Sequence, residues 1–93
     1  MNLKMFNGKV PIYHDGQLHL VDFPTREAFD RLFLRSPSDN RDQYWIILNA
    51  RSKGNTLAHS GKPFGYSRER VRQIEAKFLR GMTKELSLAT DSL

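Results

Sequence analysis

A glycine turn between a short and a long helical segment constrains the fold of this chain more than any other feature. Gly65 stands in the turn, and glycine readily adopts the left-handed backbone conformation that other residues resist. Before the turn, Thr56 is suited to cap a short helix that Pro63 leaves little room to continue. After the turn, Ser67 is suited to cap a long helix, which we expect to cover residues 68 to about 82. A short helix, a turn and a longer helix form the helix-turn-helix arrangement.

The long helix is predicted to have an apolar side and a polar side. At about 100° per residue, the large apolar side chains fall on one stripe: Val71, Ile74, Phe78 and Met82. The opposite side carries Arg68, Glu69, Arg72, Gln73, Ala76 and Arg80. We therefore expect the stripe to hold the helix on the rest of the domain while the polar side projects outward.

The polar side suits the reading of DNA bases in the major groove. An arginine can donate two hydrogen bonds to guanine, a glutamine can pair with adenine, and a glutamate can accept from cytosine. The predicted base-reading set is Arg68, Glu69, Arg72 and Gln73. Arg70 and Lys77 fall on the flank of the helix, where contact with phosphates is expected. An ordinary amphipathic surface helix with charge pairs along its length is the alternative.

Positive charge is concentrated in the same part of the chain. The 93 residues have a net charge of +5. Residues 51–84 hold nine basic and two acidic side chains, whereas the six basic and six acidic side chains of residues 1–50 cancel. This concentration favours a nucleic acid partner, although a basic surface without any partner would show it too. RNA or non-specific binding is the weaker possibility, because Glu69 and Gln73 interrupt the positive charge on the polar side.

Residues 56–80 resemble the promoter −35 recognition motif in the fourth domain of housekeeping bacterial sigma factors. The segment Ser67–Lys77, Ser-Arg-Glu-Arg-Val-Arg-Gln-Ile-Glu-Ala-Lys, is close to the signature of that family and aligns without a gap. Residues 40–51 resemble the adjoining helix of the family more loosely, and residues 1–37 lie outside the resemblance. Two positions depart from the family pattern: Ser60 stands where a buried isoleucine or valine is usual, and Pro63 falls inside the first motif helix.

The resemblance implies a mainly α-helical domain of three to four helices that binds a −35-like promoter element or operator in double-stranded DNA. Residues matching Arg68, Glu69, Arg72 and Gln73 contact bases in that family. The expected phosphate contacts are Arg51, Ser67, Arg70, Lys77 and Arg80. The domain of the family also docks on the flap of the RNA polymerase β subunit. Bacterial RNA polymerase or a sigma factor is therefore an expected partner.

A chain of 93 residues cannot hold the −10-recognition and promoter-melting domains of a whole sigma factor. We therefore expect a small transcription regulator that acts through this one domain. The alternative is a polymerase-binding modulator that mimics, displaces or recruits sigma domain four at the flap, with DNA contact incidental. Complex formation with polymerase in the absence of DNA would distinguish the two.

The chain is predicted to form one domain, since 93 residues match the size of a single small domain. An amino-terminal hairpin segment occupies residues 1–23, supporting helices occupy residues 24–54, and the helix-turn-helix occupies residues 55–84. Residues 85–93 are expected to form a frayed tail.

The hairpin is predicted from its turn and its flanks. Asp15-Gly16 favours a two-residue turn, and β-branched and apolar residues flank it between Val10 and Val21. Pro11 has no N–H to donate to a strand ladder and therefore predicts an edge strand.

Two helices are predicted between the hairpin and the glycine turn. Thr25 is suited to cap the first, which we expect to reach Arg35, just before a proline. The second is expected to begin at residue 38 or 39 and to end at about residue 51. Its centre, residues 44–48, is apolar nearly all round, which is typical of a helix covered on several sides.

Other classes of protein find little support in the sequence. There is no cysteine, which excludes disulfides and cysteine-ligated zinc, and no carboxylates complete a metal set around the three histidines. No nucleophile, base and acid are arranged for catalysis, so we expect neither an enzyme nor a cofactor. The longest wholly apolar stretch is Trp45–Leu48, which excludes a membrane span and makes the cytoplasm the expected location.

Overall fold

Two antiparallel strands precede four helices in the computed structural model, which describes residues 8–91. Strand β1 spans Lys9–His14 and strand β2 spans Gln17–Asp22. Asp15 and Gly16 connect them with positive φ angles of 52° and 73°, the combination that a type I′ turn requires. The hairpin and the mainly α-helical class are confirmed. Residues 1–7 of the predicted hairpin segment and residues 92–93 of the predicted tail lie outside the described residues.

The two faces of the hairpin differ in burial. Val10 and Ile12 lie on one face, and both are buried, with 0% and 1% of their surface exposed. Tyr13, Leu18 and Leu20 lie on the other face, where about half of each side chain is exposed. The inner face therefore contributes to the core, whereas the outer face is open at these three residues and covered at Pro11, which is buried.

Pro11 is accommodated by the register of the hairpin. The pair next to the turn is His14–Gln17, and hydrogen-bonded and non-hydrogen-bonded pairs alternate from there. Pro11 lies opposite Leu20 in a non-hydrogen-bonded pair, where a missing N–H costs no ladder bond. The sheet of the described residues has these two strands, so β1 is an edge strand, as Pro11 predicts.

Helix α1 spans Arg26–Leu32 and begins where the sequence predicts. The Oγ1 atom of Thr25 accepts a hydrogen bond from the N–H of Ala28 at 3.3 Å, which caps the helix. The predicted end at Arg35 is wrong, because the helix ends at Leu32 and a turn follows. Phe33, which is 1% exposed, stays in the core while the chain turns towards the next helix.

Helix α2 spans Ser38–Ser52, close to the predicted bounds. Tyr44, Ile47 and Leu48 are buried, but Ile46 is 53% exposed. The centre is thus covered on several sides, as predicted, and is open at Ile46. The neighbouring helices pack against other sides of α2 and leave this one open.

Helix α3 spans Leu57–Gly61 and passes into a single 3-10 turn at Lys62–Phe64, so the region of Pro63 is not α-helical. The Thr56 side chain caps α3 by accepting from the N–H of His59 at 3.1 Å. Gly65 then adopts the left-handed conformation, with φ of 72°. Each of these features agrees with the predictions for the segment.

Helix α4 spans Arg68–Asp91 and is longer than predicted. The Oγ atom of Ser67 accepts from the N–H of Arg70 at 3.1 Å, which confirms the predicted cap. The predicted end near residue 82 is wrong, and the described part of the predicted tail is helical. Gly81 does not end the helix, and it packs against α1: a Cβ atom there would lie 3.0 Å from a methyl group of Leu32.

Side chains from the hairpin, α1, α2 and α4 form the core. Its buried members are Val10, Ile12, Phe29, Phe33, Tyr44, Leu48, Ile74, Phe78 and Leu79. The ring of Phe29 lies 5.0 Å from that of Phe33, 5.2 Å from that of Trp45 and 5.7 Å from that of Phe78. Aromatic pairs at such separations add about 0.5–1.5 kcal/mol each beyond surface burial. The hairpin and α1 are thus built into the same core as α4. No helix within residues 8–91 combines the length and the apolar character needed to cross a membrane.

Candidate nucleic-acid interface

Four predicted site residues lie together at the start of α4. They are Arg68, Glu69, Arg72 and Gln73, and all are exposed. The other side of the same two turns packs inward through Val71 and Ile74, which are 0% and 2% exposed. The predicted division of the helix into an apolar and a polar side is confirmed here. A ligand that approaches the first two turns of α4 therefore meets all four polar side chains.

Glu69 and Arg72 form a doubly hydrogen-bonded ion pair on this exposed face. Nε of Arg72 lies 2.8 Å from Oε2 of Glu69, and Nη2 lies 2.6 Å from Oε1. The hydrogen bonds from Arg72 lower the pKa of the Glu69 carboxyl, and the same bonds raise the pKa of Arg72. Glu69 is therefore ionised at neutral pH, and it orients the guanidinium group of Arg72.

Two flanking cations are held against aromatic rings. Nη2 of Arg70 donates to the hydroxyl of Tyr44 at 2.9 Å. The Nζ atom of Lys77 lies 5.5 Å from the centre of the Phe33 ring, within the range of a cation–π contact. Both cations are exposed on α4. Tyr44 and Phe33 thus support the two side chains that the sequence places on the flank of the helix.

The turn before α4 is fixed by tight packing. The hydroxyl of Tyr66 is hydrogen-bonded to the amide oxygen of Gln43 on α2. A Cβ atom on Gly61 would lie 2.5 Å from a methyl group of Val71 and 2.9 Å from the carbonyl oxygen of Tyr66. Only glycine allows α3 to approach α4 this closely. The packing of α3 against α4 and the turn therefore depends on the absence of a side chain at Gly61.

Arg51 is engaged inside the protein. Its side chain is 13% exposed, and its Nη2 atom lies 3.2 Å from both carboxylate oxygens of Glu75. Its Nη1 atom donates to the carbonyl oxygen of Asn55 at 2.7 Å. This placement argues against the phosphate contact predicted for Arg51, because its donors are already used within the domain.

Glu75 is the acidic partner in this pair and is 8% exposed. Burial raises the pKa of its carboxyl, and the charge and hydrogen bonds of Arg51 oppose that rise. The charge pattern shows Glu75 only as an acid within a basic segment. Its helical spacing is the signal of burial, because at about 100° per residue it falls beside Val71 and Met82 on the apolar stripe. The pair joins α2 to α4 and so helps to hold the exposed face in position.

Ser60 brings a polar atom into the contact between α3 and α4. It is 4% exposed, and its hydroxyl has no hydrogen-bond partner in the described part of the chain. A buried hydroxyl without a partner is destabilising. This is one of the two positions at which the chain departs from the sigma pattern.

Arg80 lies two turns beyond Gln73, next to the hairpin. It lines an open groove of about 400 Å³ together with Pro11, Tyr13, Ala76, Leu79 and Thr83. Strand β1 therefore lies beside the third and fourth turns of α4. The structure places Arg80 apart from the base-reading set and beside a surface that the sequence does not connect with it.

The supporting residues were harder to find from sequence than the exposed ones. Tyr44 and Phe33 are apolar residues at helical spacing, which predicts core packing and says nothing of contacts with Arg70 or Lys77.

No three His, Cys, Asp or Glu side chains among residues 8–91 are grouped so that they could hold a metal ion.

Comparisons with known proteins give no further assignment. The chain matches no protein-family model. Neither a similar curated protein nor a similar solved structure was found. The resemblance to sigma domain four therefore has the sequence of residues 56–80 as its support.

Proposed function

We propose that this chain is a sequence-specific DNA-binding transcription regulator. Helices α3 and α4 and the turn between them serve as a helix-turn-helix of the sigma domain-four type. The observation that carries the proposal is the grouping of Arg68, Glu69, Arg72 and Gln73 on the first two turns of α4, all exposed. The near-signature sequence of residues 67–77, which contains these four side chains, also supports it.

In this proposal α4 enters the major groove with its amino-terminal turns towards the base edges. Arg72 and Arg68 donate to guanine, and Gln73 forms a two-bond contact with adenine. Glu69 accepts from the amino group of cytosine and disfavours bases that present an acceptor at that point. Each well-placed contact of this kind contributes about 1–3 kcal/mol of discrimination.

Contacts with phosphates hold the helix in place. Arg70 and Lys77 stand on the flank of α4 beside the rings of Tyr44 and Phe33, which limit their movement. Ser67 lies at the helix start, where its hydroxyl hydrogen remains available to donate. These contacts add affinity for any sequence and make binding dependent on salt.

The proposed target is a −35-like promoter element or a related operator, and the proposed protein partner is bacterial RNA polymerase. A selection of bound sequences from random duplex DNA, run with and without RNA polymerase, tests both. A single enriched motif in the absence of polymerase is the expected result. Equal recovery of all sequences in both arms would contradict the proposal. Enrichment only with polymerase present would favour the modulator that binds polymerase and contacts DNA incidentally.

A further inference from the structure

An apolar surface runs from the outer face of the hairpin on to α4. We call it the hairpin–helix surface and define it by the exposed side chains of Tyr13, Leu18, Leu20 and Arg80. The buried residues Pro11 and Leu79 line the groove beside them. The register makes it continuous, because Tyr13 lies opposite Leu18 and Pro11 lies opposite Leu20 on the same face. Pro11 and Tyr13 also line the groove beside α4, where Leu79 and Arg80 lie.

Three large apolar side chains of this surface are about half exposed. Tyr13 is 48% exposed, Leu18 is 51% exposed and Leu20 is 55% exposed. Single exposed apolar residues are ordinary on protein surfaces, whereas contiguous exposed apolar patches are typical of interaction sites. The three side chains here are neighbours across two paired strands.

The charges around the surface narrow the kind of partner. Residues 8–22 carry one basic and two acidic side chains, so the hairpin does not share the positive charge of α4. Lys9 is paired with Asp22. Arg80 stands at the rim of the groove and has no ion-pair partner among residues 8–91. The surface is therefore apolar, with an unneutralised cation at one edge.

We propose that the hairpin–helix surface binds a protein segment that presents large apolar side chains next to a carboxylate. The apolar side chains fill the groove between Tyr13 and Leu79 and cover Leu18 and Leu20. The carboxylate pairs with Arg80. The groove, at about 400 Å³, has room for one or two large side chains.

A protein segment fits this surface better than a nucleic acid does. DNA binding requires cations along the path of the backbone, and the hairpin supplies only Lys9, which is already paired. Because Arg80 lies two turns beyond Gln73 on the same side of α4, a bound segment would lie beside any DNA held by the first two turns. Binding of such a segment does not require that the chain also binds DNA.

Selection from a displayed library of short random peptides, with the full chain as bait, tests the proposal. An enriched peptide is synthesised together with a twin whose Asp or Glu is replaced by Asn or Gln, and both are measured by calorimetry. We expect Leu20→Lys to weaken both peptides at least about tenfold, because it places a charge in the apolar contact. We expect Arg80→Glu to weaken the acidic peptide about tenfold and its neutral twin less than about threefold.

Two matched controls make equivalent changes elsewhere. Ile46→Lys alters a similarly exposed apolar side chain on α2, and Lys84→Glu reverses a charge one turn along α4. Both should leave peptide affinity within about twofold. Circular dichroism and urea unfolding check that Leu20→Lys is folded, and Leu18→Lys replaces it if it is not. Gln73→Ala should change base preference without changing peptide affinity, so that failure here and failure of DNA recognition are distinguishable.

Three results would overturn the inference. One is the absence of any enriched peptide. Another is enrichment of peptides whose affinity is unchanged by Leu20→Lys or by loss of their carboxylate. The third is a concentration-dependent dimer in sedimentation that Leu20→Lys abolishes, because the surface would then belong to a second copy of this chain.

Discussion

Arg51 and Glu75 form a buried ion pair that joins the end of α2 to the third turn of α4, with side chains 13% and 8% exposed. The guanidinium group also donates to the carbonyl oxygen of Asn55 at 2.7 Å, so it links the loop before α3 as well. The two turns of α4 that precede Glu75 carry the base-reading set. The position of those side chains on the domain therefore depends on the contact between Arg51 and Glu75, which are largely buried.

Loss of one partner in this pair should destabilise the fold. Arg51→Ala leaves the Glu75 carboxyl buried without its cation, and removal of one partner from a buried pair costs about 3–5 kcal/mol. Urea denaturation should show this loss as a lower free energy of unfolding. Arg51→Met combined with Glu75→Leu should recover most of it, because an apolar replacement of a buried pair is often neutral.

The DNA affinity of Arg51→Ala separates the structural reading from the predicted phosphate contact. At a temperature where the variant is folded, we expect its affinity for random duplex and its salt dependence to match those of the wild type. A fall in affinity for all sequences, with the slope of log affinity against log salt reduced by about one, would instead restore Arg51 as a phosphate contact.

Glu75 should also make stability depend on pH. Burial raises the pKa of its carboxyl above the ordinary value of 4.5, so the folded state holds the proton more tightly than the unfolded state. This contribution to stability is fully present below pH 4.5 and is lost as the pH rises through the raised pKa. Urea unfolding of the wild type and Glu75→Gln across this range isolates it. A wild-type advantage that grows with pH would show that Arg51 outweighs burial and lowers the pKa.

Two buried serines should respond oppositely to the same substitution. Ser60 has an unpaired hydroxyl, so Ser60→Ala should raise the free energy of unfolding by about 1 kcal/mol. Ser52 donates to the carbonyl oxygen of Asn49 at 2.6 Å, so Ser52→Ala should lower it by about 1 kcal/mol. Chemical denaturation of both variants provides the test. Destabilisation of equal size in both would mean that the Ser60 hydroxyl has a partner in solution.

Local signals predicted much of this fold. Capping by Thr25, Thr56 and Ser67 depends on side chains next to their own helix starts, and the turn at Asp15-Gly16 depends on two residues. The opposition of Val71 and Gln73 on α4 follows from helical spacing alone. Each of these features is decided within a few residues of chain, so sequence is enough.

Features that depend on contacts between residues far apart in the chain could not be predicted from the sequence. A basic residue such as Arg51 in a basic segment looks like a phosphate contact until the fold brings Glu75 to it. In the sequence Gly81 suggests the end of a helix. In the structure the helix continues through Gly81, which packs against Leu32 of α1. Helix α1 ends at Leu32, and the next residue, Phe33, is buried in the core.

Substitutions on α4 should separate base reading from phosphate contact. Gln73→Ala should remove about 1–3 kcal/mol of discrimination at one base position and leave affinity for random duplex nearly unchanged. Arg70→Ala should weaken all sequences alike and reduce the salt slope by about one. Fluorescence anisotropy on the selected duplex and on single-base variants, at several salt concentrations, measures both. Arg31→Ala removes the same charge from α1 and serves as the control. Equal losses on specific and random duplex for both α4 variants would rule out base reading.

Removal of the Glu69 charge should raise affinity for DNA of any sequence and lower the discrimination between bases. Glu69 is ionised and holds Arg72 through two hydrogen bonds, so in the free protein it neutralises a cation on the side of α4 that we propose faces DNA. In Glu69→Gln the charge of Arg72 is no longer offset, and one negative charge near the phosphates is gone. Affinity for random duplex should therefore rise and the salt slope should steepen by up to about one, while discrimination at one base pair falls by about 1–3 kcal/mol.

The control for this change is Glu27→Gln, which removes the same charge from an exposed position on α1. Its effect on random duplex should be much smaller, because it acts only through the net charge of the domain. Anisotropy titrations of the two variants in parallel decide the matter. If both raise affinity equally and neither alters base preference, Glu69 acts on DNA only through overall charge and its proposed contact with cytosine is wrong.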